Sequence, residues 1–86
     1  MSREKYLVKA VVHSAQVLAA FSASGEALPL ALIAERAGLQ RPTVFRQLYT
    51  LERCGFIERI AKNLYRLRGP QFRVTRSAAE LSAIAG

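Results

Sequence analysis

The sequence predicts a mainly α-helical fold with one small β-hairpin: a three-helix core, two strands and a C-terminal helix. Three observations lead to this prediction. Apolar residues recur at helical spacing in three segments before residue 55, two short strand-like segments follow, and glycines stand where the helical segments end. The 86 residues are 51% hydrophobic, which is enough for one modest core without disulfides.

The first helix is predicted over residues 6–23. Apolar side chains three or four positions apart share one helical face, and here they are Val8, Val11, Val12, Ala15, Leu18 and Phe21. Ser24 and Gly25 are expected to end the helix, since glycine readily adopts the left-handed conformation of a helix end. The run Leu28-Pro29-Leu30 is short and contains a proline, so only an extended link is predicted there.

A short second helix is predicted over residues 31–37, with Leu32 or Ile33 buried together with Ala34. Gly38 is expected to end it. Only residues 38–41 separate this end from the next helical signal. A tight turn with a glycine between two helices is the connection that a helix-turn-helix uses.

The third helix is predicted over residues 42–54. Pro42 opens it, because proline is favoured at the first helical position, where its missing N–H has no partner to lose. The apolar residues at helical spacing are expected to pack on the core: Val44, Leu48 and Leu51. Gly55 is placed as the C-terminal cap. The opposite face of this helix is polar and basic, and is therefore available to a partner.

A β-hairpin is predicted after the third helix, from residues 56–60 and 64–67, which are rich in β-branched and aromatic residues. Lys62 is expected at its exposed tip, and Asn63 can tolerate the positive φ that a tight turn often needs. A last helix with a weak apolar stripe follows Pro70. Four side chains near this region are interpreted as core: Phe45, Phe56, Tyr65 and Leu67. This order of elements is that of a winged helix-turn-helix.

The net charge of +7 is concentrated in one stretch of the chain. Between Arg41 and Arg76 lie nine Lys or Arg residues and two Glu residues, which accounts for the whole excess, because the remainder holds four bases and four acids. Such a concentration indicates a surface for a polyanion such as nucleic acid. A basic face that is merely solvated is the alternative.

Other classes of protein are disfavoured by composition. The longest stretch without a formal charge, residues 10–25, is too short to span a bilayer. A secretory signal is disfavoured because Lys9, His13 and Gln16 interrupt the apolar segment that it would need. One cysteine, Cys54, and one histidine leave no metal site, and a reducing cytoplasm fits this usage. No nucleophile motif or phosphate-binding loop is present, so neither an enzyme nor a cofactor is expected.

Several segments carry a resemblance to a known family. They are Val17-Leu18 with Phe21, then residues 32–39, then Thr43-Val44-Phe45-Arg46 with Leu48, Thr50 and Leu51, then residues 55–59, and finally Tyr65-Arg66-Leu67. Together, from about residue 11 to residue 69, they resemble the amino-terminal DNA-binding domain of the IclR family of bacterial transcription regulators. The chain departs from the family's usual residues at His13, at Ala31 and at Gln40-Arg41-Pro42.

The resemblance implies a division of the chain. Residues 1–69 would be the winged helix-turn-helix DNA-binding domain, and residues 70–86 a linker helix toward an effector-binding domain that lies outside this sequence. A small-molecule effector would act only through that domain. The chain is then a fragment of a regulator, with a naturally short protein as the alternative.

In this arrangement the recognition helix, residues 42–54, lies in the major groove with its first turns nearest the base edges. Arg46 is the candidate for bidentate binding of guanine, with a phosphate contact as its alternative. The wing, residues 60–66, would meet the sugar-phosphate backbone or the minor groove. The candidate DNA-binding residues are Gln40, Arg41, Thr43, Arg46, Tyr49, Thr50, Lys62, Asn63 and Arg66.

Other basic residues receive a weaker interpretation. Arg36 could reach a phosphate or pair with Glu35 or Glu52, while Arg53 and Arg59 are interpreted as solvated or paired. The expected partner is double-stranded DNA with a pseudo-palindromic operator, bound by a homodimer, because one such module reads too few base pairs for specificity. Apolar residues of the first helix and residues from 70 onward could form the dimer contact. A winged helix used for protein–protein contact is the main alternative.

Overall fold

The computed structural model describes residues 3–21, 25–68 and 76–86. Its elements, in chain order, are a 3₁₀ turn at Glu4–Tyr6, helix α1 (Lys9–Ala19), strand β1 (Ala27–Leu28), helices α2 (Leu30–Ala37) and α3 (Arg41–Cys54), strands β2 (Ile57–Ala61) and β3 (Leu64–Leu67), and helix α4 (Ala78–Ala85). The fold class predicted from the sequence is confirmed. None of the helices in these ranges has both the length and the apolar character needed to cross a membrane.

The core lies where α1, α2 and α3 meet the hairpin. Each of these elements contributes at least one side chain that is essentially inaccessible to solvent: Val17, Ile33, Val44, Leu48 and Ile57. The apolar stripe predicted for the third helix is confirmed, because its last member along the chain, Leu51, is buried as well. Burial of a Leu or Ile side chain stabilises a fold by about 1.5–3 kcal/mol, so this small set supplies much of the stability.

The ends of α2 and α3 lie where the glycines predicted them. Gly38 and Gly55 follow the two helices with φ of 72° and 92°, in the left-handed region. The start of α3 differs by one residue, because Arg41 is its first residue and Pro42 its second. The physical reason is that the first four N–H groups of a helix all lack an intrahelical partner, so proline costs no hydrogen bond at the second position either.

The first helix is shorter than predicted, and its N-terminal part is not core. It begins at Lys9 and ends at Ala19, and Val8, Val11 and Val12 are exposed rather than buried. Only its C-terminal end and the residues after it, such as Val17 and Phe21, reach the core. Periodicity identified the helix, but burial depends on which turns α2 and α3 cover. Of the predicted terminators, Gly25 has a φ of 77°, and Ser24 lies outside the described residues.

The sheet has three strands in the order β1-β3-β2, all antiparallel to their neighbours. The predicted extended link around Leu28 thus contributes a short strand, with Leu28 opposite Tyr65. In the hairpin, Arg59 pairs with Tyr65 and Ala61 with Leu64, so an extra residue stands in β2 between the two pairs. Such a bulge bends and twists a strand. No non-glycine residue in the described ranges has a positive φ, so the turn does not use the positive φ that Asn63 could tolerate.

Candidate nucleic-acid interface

Helix α3 presents to solvent the face opposite its buried stripe. Gln40, Arg41 and Arg46 are exposed at its start and along this face, whereas Thr43 is half-buried. Within the described residues the guanidinium of Arg46 makes no ion pair and no side-chain hydrogen bond. A planar fork of donors that is free of protein partners is what bidentate recognition of a base edge or a phosphate requires.

Two further candidates on α3 already make hydrogen bonds. The Thr50 hydroxyl donates to the carbonyl oxygen of Arg46 at 2.8 Å, and the residue is exposed. The Tyr49 hydroxyl accepts from Nη1 of Arg53 at 3.2 Å, and the Arg53 guanidinium lies 5.9 Å from the Tyr49 ring centroid. Because Tyr49 is 54% exposed, it does not pack in the core. Its hydroxyl hydrogen remains available to an acceptor.

The turn between β2 and β3 carries Lys62 and Asn63, both exposed. The Asn63 side chain is held, because its Oδ1 accepts a hydrogen bond from the backbone N–H of Leu30 at 3.3 Å. Leu30 is the first residue of α2, and Pro29 before it makes no side-chain cap. Asn63 therefore caps α2 from the hairpin, and this bond joins the wing to the start of the helix-turn-helix.

The side chain of Arg66 is on the face of the sheet that is turned away from α3. Its Nε and Nη2 donate to Oε2 of Glu58 at 3.0 Å and 2.7 Å, and the two residues are directly opposite each other on β3 and β2. Side chains alternate between the faces of a strand, so the neighbouring pair Arg59 and Tyr65 points to the other face. Glu58 offsets the charge of Arg66. The sequence did not predict this pair, because it depends on the register of β2 against β3.

Arg36 is also paired, but not as predicted. Its Nη1 donates to Oε1 of Glu26 and to the carbonyl oxygen of Ala20, each at 3.1 Å. The expected partners Glu35 and Glu52 were wrong, because β1 brings Glu26 alongside α2. The guanidinium joins the end of α1 to the approach of β1, which is a structural role.

Phe45 is the clearest error of the sequence interpretation, since it is 55% exposed rather than core. It forms one wall of an open cleft of about 500 Å³ between α3 and the hairpin. The sequence did contain a signal, because Phe45 follows Val44 directly and so stands well off the buried stripe of the helix. The cleft is lined by Phe45, Tyr49, Glu52, Arg53, Arg59, Tyr65 and Arg76.

Sequence reasoning missed the side chains that fix the position of α3. Gln47 on α3 donates from Nε2 to the carbonyl oxygen of Ala10 at 3.3 Å, and its Oε1 accepts a hydrogen bond from the Ser14 hydroxyl on α1. Gln16 on α1 donates to the carbonyl oxygen of Ala37 at 3.1 Å, at the end of α2. Polar residues within an apolar stripe are the only hint that the sequence offers for these contacts.

Helix α3 and the hairpin carry several unpaired cations. Within residues 3–21, 25–68 and 76–86 the ion pairs are Arg36 with Glu26 and Arg66 with Glu58. The exposed cations on α3 and the hairpin that have no carboxylate partner in these ranges are Arg41, Arg46, Arg53, Arg59 and Lys62.

Comparison with known proteins identifies the domain. The model of the IclR helix-turn-helix domain matches residues 10–61. An IclR family transcriptional regulator from Brucella abortus, known from its crystal structure, is similar with a TM-score of 0.68 and 34% sequence identity, over 74% of this chain and 25% of that chain. This chain spans about a quarter of the length of that regulator, and no curated protein matches it. Since residues 10–61 are more than half of the sequence, the chain belongs to the IclR family, with the helix-turn-helix domain of that family at these residues.

Proposed function

We propose that this domain binds double-stranded DNA with sequence specificity, as the DNA-binding part of a bacterial transcription regulator in the cytoplasm. Its action is binding rather than catalysis. The observation that carries the proposal is the exposed face of α3, where Arg46 and further cations have no ion-pair partner among the described residues. A helix that follows a tight turn and presents free donors fits the major groove.

Within this proposal the start of α3 reads bases. Arg46 donates to O6 and N7 of a guanine, and such a bidentate contact is worth about 1–3 kcal/mol of discrimination. Arg41 and Gln40 lie at the exposed N-terminal end, where recognition helices are closest to the base edges. Thr43, Tyr49 and Thr50 contribute hydroxyl and methyl contacts to phosphates or bases along the same groove.

The hairpin positions the domain rather than selecting the sequence. Lys62 at the turn contacts the backbone or the adjacent minor groove, because a flexible ammonium binds phosphate as a point charge. Asn63 retains its amide donor for the same purpose while its oxygen caps α2. Arg66 contributes to DNA binding only if it leaves its ion pair with Glu58.

A homodimer on a pseudo-palindromic operator fits this reading, because half-site symmetry follows from two-fold protein symmetry. Exposed apolar side chains near the start of α1 support a contact between subunits: Tyr6, Leu7, Val8, Val11 and Val12. The part of the regulator outside this sequence would take the small-molecule effector, with residues 70–86 as the linker helix. Sedimentation of the domain with its operator should give two chains per duplex.

Contact with another protein is the rival function. Arginine and aromatic residues occur in both kinds of interface, so the discriminating feature is the charge balance. On the exposed face of α3, Arg46 and Arg53 have no carboxylate partner in the part of the chain that the structure describes, and an excess of positive charge favours a polyanion.

The direct test is selection of bound duplexes from a random pool, followed by titration of the selected duplex at several salt concentrations. Five or six phosphate contacts per domain should give a log–log slope of affinity against salt of roughly −5. Arg46→Ala should relax the preference at one base position, whereas Lys62→Ala should weaken binding to all sequences alike. A flat salt response of the unsubstituted domain would refute the function, and identical effects of the two variants would refute the division of roles.

A further inference from the structure

The cleft between α3 and the hairpin has walls from both DNA-facing elements. Phe45 and Tyr49, one helical turn apart on α3, form one wall, and Arg59 and Tyr65, paired across β2 and β3, form the other. Its volume is about 500 Å³, and it is open to solvent. The two aromatic side chains on α3 are more than half exposed. Adjacent exposed rings beside polar residues are typical of an interaction site.

The charges around the cleft indicate an anionic occupant. Among the described residues that line it are three guanidinium groups, of Arg53, Arg59 and Arg76, and one carboxylate, of Glu52. Arg59 has no ion pair or side-chain hydrogen bond in the described part of the chain, and Arg53 is held toward the cleft by its bond to the Tyr49 hydroxyl. Guanidinium groups bind phosphate oxygens with paired donors, and aromatic faces suit the apolar side of a sugar.

The position of the cleft indicates which anion would bind there. A single DNA backbone separates the major groove from the adjacent minor groove. If α3 occupies the first groove and the turn at Lys62 reaches the second, that backbone must pass between α3 and the inner face of the hairpin. Arg59 is on this inner face, while Arg66 is on the opposite face in its ion pair with Glu58.

We infer that the cleft binds the sugar-phosphate backbone between the two grooves, with Arg59 and Arg53 donating to phosphate oxygens and Phe45 and Tyr49 against the deoxyribose. This inference rests on the proposed DNA binding and deepens it. Arg59, and not Arg66, is the arginine through which the hairpin holds DNA. The carboxylate of Glu52 repels the same phosphate and lowers the affinity for DNA.

The test compares Arg59→Ala with Arg66→Ala, two arginines on neighbouring strands and opposite faces of one sheet, on a fluorescent duplex selected from a random pool. Each phosphate contact contributes about 0.9 to the log–log salt slope, and hence a factor of about 3.5 in affinity between about 50 and about 200 mM salt. Arg59→Ala should reduce the magnitude of the salt slope by about 0.9. Arg59→Gln should reduce it equally, with a smaller change in side-chain volume. Arg66→Ala should keep the slope of the unsubstituted domain.

Glu52→Gln provides a variant of opposite sign, because removing the carboxylate should strengthen binding several-fold at low salt and less at high salt, where charges are screened. Circular dichroism melting of each variant checks that the fold persists. A slope unchanged in both Arg59 variants, or reduced in Arg66→Ala instead, would overturn the inference while the DNA-binding function stands. Absence of salt-dependent binding by the unsubstituted domain would refute that function, and the inference with it.

Discussion

Asn63 has one role predicted from the sequence and another observed in the structure, and two substitutions separate these roles. The sequence predicts a contact with DNA, whereas in the structure Asn63 Oδ1 accepts the N–H of Leu30 and caps α2. Asn63→Ala removes the acceptor. Asn63→Asp keeps an acceptor at the same place and adds a negative charge near the positive end of the helix dipole.

The magnitudes follow from helix capping. Loss of a side-chain cap costs about 0.5–2 kcal/mol. Because this bond is 3.3 Å long and exposed, we expect Asn63→Ala to lower the free energy of unfolding by about 0.5–1 kcal/mol, toward the low end of that range. For a domain of this size a loss of 1 kcal/mol lowers Tm by about 4–8 °C. Asn63→Asp should match or exceed the unsubstituted domain, since a carboxylate at a helix N-terminus contributes about 0.3–1 kcal/mol.

The assay is thermal unfolding followed by circular dichroism, paired with titration against duplex DNA. Lys62→Ala is the matched control, because Lys62 is in the same turn and makes no side-chain hydrogen bond within the described residues. It should change Tm little and weaken DNA binding. Equal destabilisation by Asn63→Ala and Asn63→Asp would refute the capping role. Asn63→Asp should weaken DNA binding through its charge even though the fold is as stable.

Two further predictions concern the fold. Gly38→Ala should lower the free energy of unfolding by about 1–2 kcal/mol, because a side chain is strained at its φ of 72°. An added Cβ meets no atom of the described residues within 4 Å, so Gly38→Asn, which tolerates this conformation better, should recover part of the loss in a urea titration. Leu48→Ala should lower the free energy of unfolding by about 2–5 kcal/mol as a buried truncation, whereas Val11→Ala, at a residue 64% exposed, should change the midpoint of the urea titration little. A comparable loss in both would contradict the assigned core.

Local signals in the sequence were sufficient for the helix-turn-helix. The bounds of α2 and α3 follow from apolar spacing and from Gly38 and Gly55, and each of these acts within a few residues of itself. The hairpin was also predictable, because two short β-rich segments stand on either side of a polar turn. The exposed candidates on α3 follow from the same periodicity, as the face opposite the apolar stripe.

Side chains whose role depends on a distant partner were not predictable in this way. Glu26, rather than Glu35 or Glu52, pairs with Arg36, and only the strand register reveals that Glu58 holds Arg66. For these two ion pairs the deciding carboxylate is ten and eight residues away along the chain. The exposure of Phe45 is different, because its position off the apolar stripe of α3 was a local signal.

The sequence by itself determined the order of helices, the hairpin, the concentration of positive charge after Arg41 and the family resemblance, because these depend on composition and on spacing along the chain. Only the tertiary structure decided which turns of α1 are buried, which arginine of the hairpin faces α3, and what Asn63 holds. The physical reason is that burial and pairing are set by the elements that meet in space. The choice between Arg59 and Arg66 shows this, since both are basic residues on β-strands and only the pleat places them on opposite faces.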